Sequence, residues 1–545
     1  MSFAKPVLLV GGATALSRLL GFGRDALIAA TLGSGFVADA FFVAFRLPNL
    51  FRRVLGEGAL NPAFVPVYQR LRADKGEEAA RLFSRRAVSG AGMFLVVLAM
   101  CGDLAAPGLV LFLAPGFSDD PLKFALAVRC ARLAFPFLAF AVLASLMTSA
   151  LNAERRFAGA ALAPVIVNVI LVGVLIVLRL TDATEPDRAR LLASCVGLSG
   201  LGQVAWLLIS LRRSPTGLPL VRPRWSQELR SLCLLALPGI AASGATQMAV
   251  VAATEVASTL PGAVSWLYYA DRLYQLPLGF VAVAMGTVLL PQIAHCVRAR
   301  NPSGEAMVVN RACELALLVT FPAALGLLIL AGPIVSVLFE HGLFLPHDTQ
   351  ETAKAARWLA LALPGAALAK IFAQPFFARE RPALPLLAAV AVVLITLLIG
   401  YLLRARLGAA GVAIAIAIAA SAQAASLGSL LYVRGIFARD RALLRRAAAI
   451  LGAGLLMAGA LEGAMPLAAP LMTASHIFVA RLAGLLALCT AGAALFGTVV
   501  LALGAVDPGM ILRLSRSKTA SATLGPEAPI NGVEPDKRRI ELGHG

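Results

Sequence analysis

The chain is poor in charge. Only 14% of its 545 residues are Asp, Glu, Lys or Arg, against roughly 25% in soluble globular proteins, which excludes a soluble domain as the bulk of it. Histidine is scarce too. There are five, none in an HExxH pair, so no hydrolytic metal centre is expected. The cysteines Cys101, Cys130, Cys195, Cys233, Cys296, Cys313 and Cys489 lie in or beside apolar runs without paired spacing. They read as small core residues, with neither a disulfide nor a metal. No GxxxxGK[ST] loop is present to cradle a nucleotide, and no cofactor is expected. An integral-membrane phosphatase or transferase would need a nucleophile or a base, and the chain offers no convincing set.

What the chain has instead is apolar length. It is 59% hydrophobic with a mean hydropathy of +0.84, which makes it an all-α, polytopic membrane protein. Fourteen spans of about 20 residues or more are marked off by charged or Pro/Gly-rich breaks. They lie near 7–31, 36–69, 87–114, 123–150, 158–180, 189–211, 229–258, 264–296, 307–338, 350–378, 383–404, 409–434, 444–466 and 476–506. The start, Met1 to Lys5, shows no small-residue cleavage site, so the first span reads as an uncleaved helix. The net charge of +19 sits in short loops: Arg70 to Arg86, Arg155-Arg156, Arg212 to Arg224, Arg298 to Arg311, Arg379-Arg381 and Arg434 to Arg446. The intervening loops are acidic, neutral or tiny, apart from Arg188 with Arg190 and Arg404 with Arg406. By the positive-inside rule both termini lie in the cytoplasm. A basic excess spread over loops between spans is not a nucleic-acid-binding surface. The polar, aperiodic tail at 515–545 reads as a disordered cytoplasmic extension.

A weak repeat divides the spans. Gly35-Phe36-Val37 leads to Arg46-Leu47 and then Phe64-Val65-Pro66; Gly262-Ala263-Val264 leads to Arg272-Leu273 and then Leu289-Leu290-Pro291. The copies are about 226 residues apart, six spans on, so they run parallel about an axis along the membrane normal. The expected organisation is an N-terminal lobe over 1–213, a C-terminal lobe over 229–434 and an added helix pair over 444–506.

Charge inside the spans is concentrated in Thr14 to Asn61, which carries Arg18, Arg24, Asp25, Asp39, Arg46, Arg52, Arg53 and Glu57. An arginine at mid-membrane costs about 2.5–3.5 kcal/mol on insertion scales, so such residues face a polar interior and mark function. Arg18 and Asp25 share one face of the first helix, as do Ser17 and Arg24; Asp271-Arg272 adds charge about 15 Å into the eighth span at 1.5 Å per residue. Some Asp–Arg pairs can simply staple helices, yet arginine exceeds acid in these spans. Unpaired guanidinium groups suit a phosphate-bearing headgroup, which they bind bidentately. Glu57 is expected to pair with Arg53 at i+4, with a proton site as the alternative. Glu255, near the end of span seven, is either an ion site or an interfacial residue.

The stretch SRLLGFGRDALIAATLGSGFVADAFFVAFRLPNLFRRVLGEGALNPAFVPV resembles the opening signature of the MurJ/MviN family, lipid II flippases of the MOP exporter superfamily. The resemblance continues through LNAERRFAGAALAPVIVNV, LPGAVSWLYYADRLYQLPLGFVAVAMGTVLLPQI and PFFARERPALP, over about residues 6–505. It implies fourteen helices, two six-helix lobes and a final pair forming a lipid groove. It also implies transport of an undecaprenyl-pyrophosphate-linked disaccharide-pentapeptide across the bacterial inner membrane by a monomer that makes and breaks no bond. Its essential cavity arginines carry onto Arg18, Arg24, Arg52 and Arg272, with Ser17, Asp25, Asp39 and Arg53 in supporting positions. Some relatives bind sodium through spans seven, eleven and twelve. Span eleven here, Leu384 to Leu403, holds Thr396 and Tyr401 but no carboxylate or amide, so obligatory sodium coupling is not expected. The alternative is another MOP-type exporter, of a different polyprenyl-linked glycan or of a drug. A cationic drug would call for acidic residues, against the arginine excess.

Overall fold

The computed structural model describes residues 4–218, 221–222, 224–284, 289–437, 440–468, 470 and 478–504. The tail expected to be disordered lies outside them. Helices α1 (Ala4–Leu32) and α2 (Phe36–Phe51) are followed without a break by a π-helix, π1 (Arg52–Leu60), and by α3 (Asn61–Leu104). Then come α4 (Ala106–Leu113), α5 (Pro121–Ala134), α6 (Pro136–Ala153), α7 (Phe157–Arg179), α8 (Glu185–Arg212) and α9 (Gln227–Ser258). The rest comprises α10 (Ala263–Ala284), α11 (Leu290–Arg298), α12 (Pro302–Phe339), α13 (Pro346–Ala378), α14 (Ala383–Leu407), α15 (Ala409–Val433), α16 (Arg441–Ala468) and α17 (Phe478–Ala502).

Helix is found along each expected span, and the described residues contain no strand. By length and apolar composition, eleven helices among the described residues can cross a membrane. One of them runs from Phe36 to Leu104 and contains the second expected span and most of the third, which continues into α4. The basic segment between those spans is helical, not an open loop. Its one break is Gly76, at φ 85°, a left-handed conformation that glycine adopts without steric penalty.

Local chemistry sets the other boundaries. Proline occupies the first turn of α5, α6, α8, α12 and α13, where its missing N–H is no loss. Asp120 accepts from the backbone N–H groups of Leu122 and Lys123 at 3.1 Å and caps α5. Between α1 and α2 the chain reverses through Gly33 (φ 63°) and Gly35 (φ 97°). A Cβ on Gly33 would meet the carbonyl oxygen of Leu343 at 2.6 Å, so only glycine permits that approach.

The largest core cluster mixes residues from both copies of the repeat. Phe42 of α2 stacks on Tyr268 of α10 at 3.8 Å between ring centroids, and Tyr269 meets Phe344 edge-on at 5.3 Å. Smaller clusters lie on either side. Helices α16 and α17 pack on each other and on α12, through Leu330, Val337, Met457, Leu461, Leu485 and Phe496.

Candidate functional site

The expected site residues divide into two groups, and three of them, Arg18, Asp39 and Glu255, fall outside both. The first group is centred on Asp25, which is buried in α1. Arg24 reaches the Asp25 carboxylate through Nη2 at 2.7 Å and Nε at 3.0 Å. Arg272 of α10 approaches the other carboxylate oxygen, Nε to Oδ2, at 3.1 Å as an ion pair. One carboxylate thus faces two guanidinium groups, one from α1 and one from α10. The Tyr268 hydroxyl donates to Asp25 at 3.5 Å. The Arg272 guanidinium lies 4.4 Å from the Tyr268 ring centroid, within cation–π range.

Asn168 of α7 completes this group. Its Oδ1 accepts from Arg24 Nη1 at 3.0 Å, and its Nδ2 donates to the Ser17 carbonyl at 3.0 Å and to the Ser17 hydroxyl at 3.3 Å. Ser17 and Arg24 are therefore joined through a third residue. The signal for Asn168 was available, because it is the single polar side chain between Phe157 and Leu178 in an otherwise apolar span. A buried amide is hydrogen-bonded as a rule. Arg18 is exposed and joins none of these contacts; its guanidinium lies 5.8 Å from the Phe280 ring of α10.

The second group belongs to π1. Arg52 donates from Nε to Asn49 Oδ1 at 3.4 Å and forms an ion pair with Glu57. This corrects the expected Arg53–Glu57 pair. A π-helix closes i to i+5, so it brings residues five apart together. Arg53 makes no hydrogen bond or ion pair with any described residue, although Arg52, Arg272, Asp271 and Glu57 are within electrostatic reach of it. Arg46, about two turns earlier, bonds the Thr254 hydroxyl of α9 and lies 5.9 Å from the Tyr268 ring. Through Tyr268 and Arg272 the two groups form one polar interior. It holds Arg24, Arg46, Arg52, Arg53 and Arg272 against Asp25, Glu57 and Asp271.

Asp39 does not belong to that interior, a second correction. It is fully buried at the end of the bundle that carries the α1–α2 turn. Its Oδ2 accepts from Lys123 Nζ at 2.8 Å and from the Gly262 N–H at 2.9 Å. Its Oδ1 accepts from the Ser265 N–H and hydroxyl, each at 2.9 Å. Asp39 thus supplies an acceptor to the first turn of α10, where free N–H groups and the helix dipole favour an anion. Its ionic partner is a lysine from α5 rather than an arginine. Sequence alone missed Lys123 because it sits beside the acidic loop at Asp119-Asp120, where it reads as a surface residue. Trp266 Nε1 donates to Ser34 at 3.0 Å, the Tyr269 hydroxyl to the Gly33 carbonyl at 2.9 Å, and the Gly116 N–H to Ser258 at 3.0 Å.

Glu255 also stands apart. Its Oε1 accepts from the Tyr401 hydroxyl of α14 at 3.3 Å. Among the described residues no three His, Cys, Asp or Glu side chains converge as metal ligands.

A family model described as lipid II flippase MurJ matches residues 28–481. The chain belongs to the MurJ family. It is 39% identical over 525 residues to a protein of Rhizobium meliloti (strain 1021) named probable lipid II flippase MurJ, covering 96% of this chain and 98% of that one. It is 31% identical over 464 residues to the lipid II flippase MurJ of Burkholderia cenocepacia, covering 84% of this chain and 89% of that one. Among solved structures, a lipid II flippase MurJ in an inward-closed conformation superposes with a TM-score of 0.70 at 23% identity, over 94% of this chain and 100% of that one. An inward-facing multidrug resistance MATE family transporter of the MOP superfamily follows at 0.66 and 16%, over 77% and 94%. These two likenesses show the fold, and the chain is a multi-pass membrane protein of that fold.

Proposed function

We propose that this protein moves lipid II, the undecaprenyl-pyrophosphate-linked disaccharide-pentapeptide, from the inner to the outer leaflet of the bacterial inner membrane. The observation that carries the reading is the shared carboxylate. Arg24 of α1 and Arg272 of α10 meet on Asp25, with Arg52 only partly neutralised and Arg53 without an ionic partner among the described residues. A pyrophosphate presents several acceptor oxygens to such forks. It can replace Asp25 as counter-ion to both halves at once, and so links loading to the relation between them. No bond is made or broken; the chain acts by binding and turning.

In this reading residues 1–213 and 229–434 are two lobes that rock about the polar interior. Residues 444–506 carry the polyprenyl tail along α16 and α17. Both termini and the arginine-rich loops face the cytoplasm, which places the Asp39 junction at the periplasmic end, where it holds that end closed. Ser17, Asp25 and Arg53 position the clamp. Arg18, Arg24, Arg52 and Arg272 bind the headgroup, the protein acts as a monomer, and Glu255 serves as an interfacial partner of Tyr401. The test is depletion in the native host with an assay of lipid II accessible at the outer leaflet. Accessibility should collapse within the time the protein is lost. If it is unchanged, the assignment is wrong.

A further inference from the structure

The π-helix at the charged end of the second span has an arithmetic consequence for Glu57. Helix π1 runs Arg52-Arg53-Val54-Leu55-Gly56-Glu57-Gly58-Ala59-Leu60, and the N–H of Asn61 donates to the Gly56 carbonyl five residues back. In this register Glu57 meets Arg52, five residues earlier. In an α-helical register it would instead meet Arg53, four residues earlier. Two adjacent arginines therefore stand at the two spacings that the two helix types select. One is engaged and the other has no hydrogen-bond or ion-pair partner among the described residues.

The Glu57–Arg52 pair is accessible, while the backbone of π1 lies close against α6 and α9. Glu57 is exposed, with 55% of its side-chain surface accessible, and Arg52 is half-buried at 26%, so their pair is not locked in packing. Gly56 faces Ser145 of α6, where an added Cβ would lie 3.1 Å from the hydroxyl. Gly58 faces Ser243 of α9, and Gly239 of α9 faces the Gly58 carbonyl. Both neighbours of π1 present small residues to it. Single-turn π-bulges often mark functional sites; here the feature extends over nine residues.

We propose that Glu57 is the built-in counter-ion of Arg52 in the unloaded carrier, and that headgroup binding shifts π1 toward an α-helical register in which Glu57 passes to Arg53. Arg52 is then released to the pyrophosphate, and the extra negative charge at the site stays neutralised. On release of the headgroup Glu57 returns to Arg52 and competes the pyrophosphate away. Glu57 thus acts as a positioning residue that sets affinity and release, without touching the substrate. The inference rests on the transport reading above and deepens it.

The experiment is a double-mutant cycle on the full chain in nanodiscs, with undecaprenyl pyrophosphate as the probe, measuring both binding and the rate of headgroup translocation. Glu57→Gln should tighten binding about tenfold, or about 1.4 kcal/mol, and should slow translocation, with the melting temperature unchanged. Arg53→Gln should weaken binding in the native background, because Glu57 then has nowhere to go. It should have no effect in the Glu57→Gln background. If Arg53→Gln weakens binding equally in both backgrounds, Arg53 contacts the headgroup directly and the switch is refuted. If Glu57→Gln lowers affinity, translocation and melting temperature together, Glu57 is structural and the switch is again refuted. Absence of binding by the native protein would overturn the transport reading, and the switch with it.

Discussion

Replacing Asp39 by asparagine tests whether that residue joins the two repeat copies or helps to bind a ligand. The side chains are nearly isosteric, so packing is preserved. The native carboxylate accepts four hydrogen bonds, two on each oxygen, from Lys123, Gly262 and Ser265. In asparagine one oxygen becomes an NH2 group, which then faces two donors. Turned one way the amide loses the bonds from Lys123 and Gly262; turned the other it loses the Ser265 N–H, because the Ser265 hydroxyl can donate to the Gly262 carbonyl and accept from the amide instead. In both, Lys123, with its side chain 9% exposed, keeps a positive charge without a counter-ion. Removing one partner of a buried ion pair costs about 3–5 kcal/mol. Because these contacts tie α2 and α5 to α10, the cost falls on the closed junction and shifts it toward an open form by a factor of about 100 to several thousand. The assay is the labelling rate, in intact cells, of a cysteine at buried Ser258 in a cysteine-free background. Labelling should rise strongly with Asp39→Asn and return toward the native rate when Lys123→Met removes the orphaned charge. Affinity of the closed form for undecaprenyl pyrophosphate should not change. An unchanged labelling rate with weakened binding would refute this reasoning and return Asp39 to the binding site.

Other outcomes follow from the same geometry. Arg272→Ala should abolish lipid II translocation while leaving folded protein in the membrane, and Arg272→Lys should retain part of it, since lysine keeps the charge but lacks the fork that spans Asp25 and stacks on Tyr268; full complementation by both would remove the residue from the clamp. Cysteine labelling at exposed Glu78 should require permeabilised cells, whereas labelling at exposed Ser118 should not, and the reverse pattern would invert the orientation. At the arginine-rich end, Glu228 pairs with Lys75 at 3.0 Å. Its own backbone N–H, then Lys75 and Ser226, hold its carboxyl down to about 2. A depressed carboxyl stabilises the fold above its unfolded value near 4.3 and loses that contribution as pH falls toward about 2. Glu228→Gln should therefore lower stability by less than about 1 kcal/mol at pH 7, given the pair's exposure. The gap from native protein should close between about pH 4 and pH 2 in thermal unfolding; a gap that persists at pH 2 would assign the effect to packing.

The spans were legible because membrane helices need long apolar runs and their boundaries need charge, Pro or Gly. The arginine excess of the first two spans was legible for the converse reason: charge is conspicuous where hydrocarbon is expected. Partnership was less legible. Asp25 and Arg272 lie 247 positions apart (272 − 25), and nothing local says that they share one carboxylate. The π-helix was invisible because residue periodicity was counted at 3.6 per turn, which assigned Glu57 to Arg53. Asp39 resembled a cavity residue because an acid in a span looks functional, and only the approach of the α10 N-terminus shows it as a cap. Asn168 lay in plain sight in an apolar span, yet its role depends on Ser17 and Arg24 standing opposite.

The junction around Asp39 has a further consequence for the cell's ion gradients. A carrier whose interior is lined with arginines offers anions and water an easy path over part of the bilayer. Beyond that interior the path meets Phe42, Tyr268, Tyr269, Phe339 and Phe344, which are all buried, and then a carboxylate whose two oxygens are both occupied by donors. A small ion would have to shed its hydration shell at the aromatic layer and would find no free ligand behind it. Stripping water from a charge in such surroundings costs several kcal/mol or more. The contacts that hold the two repeat copies together at this end are also a dielectric barrier, so a large headgroup can be admitted from one side without the membrane becoming conductive.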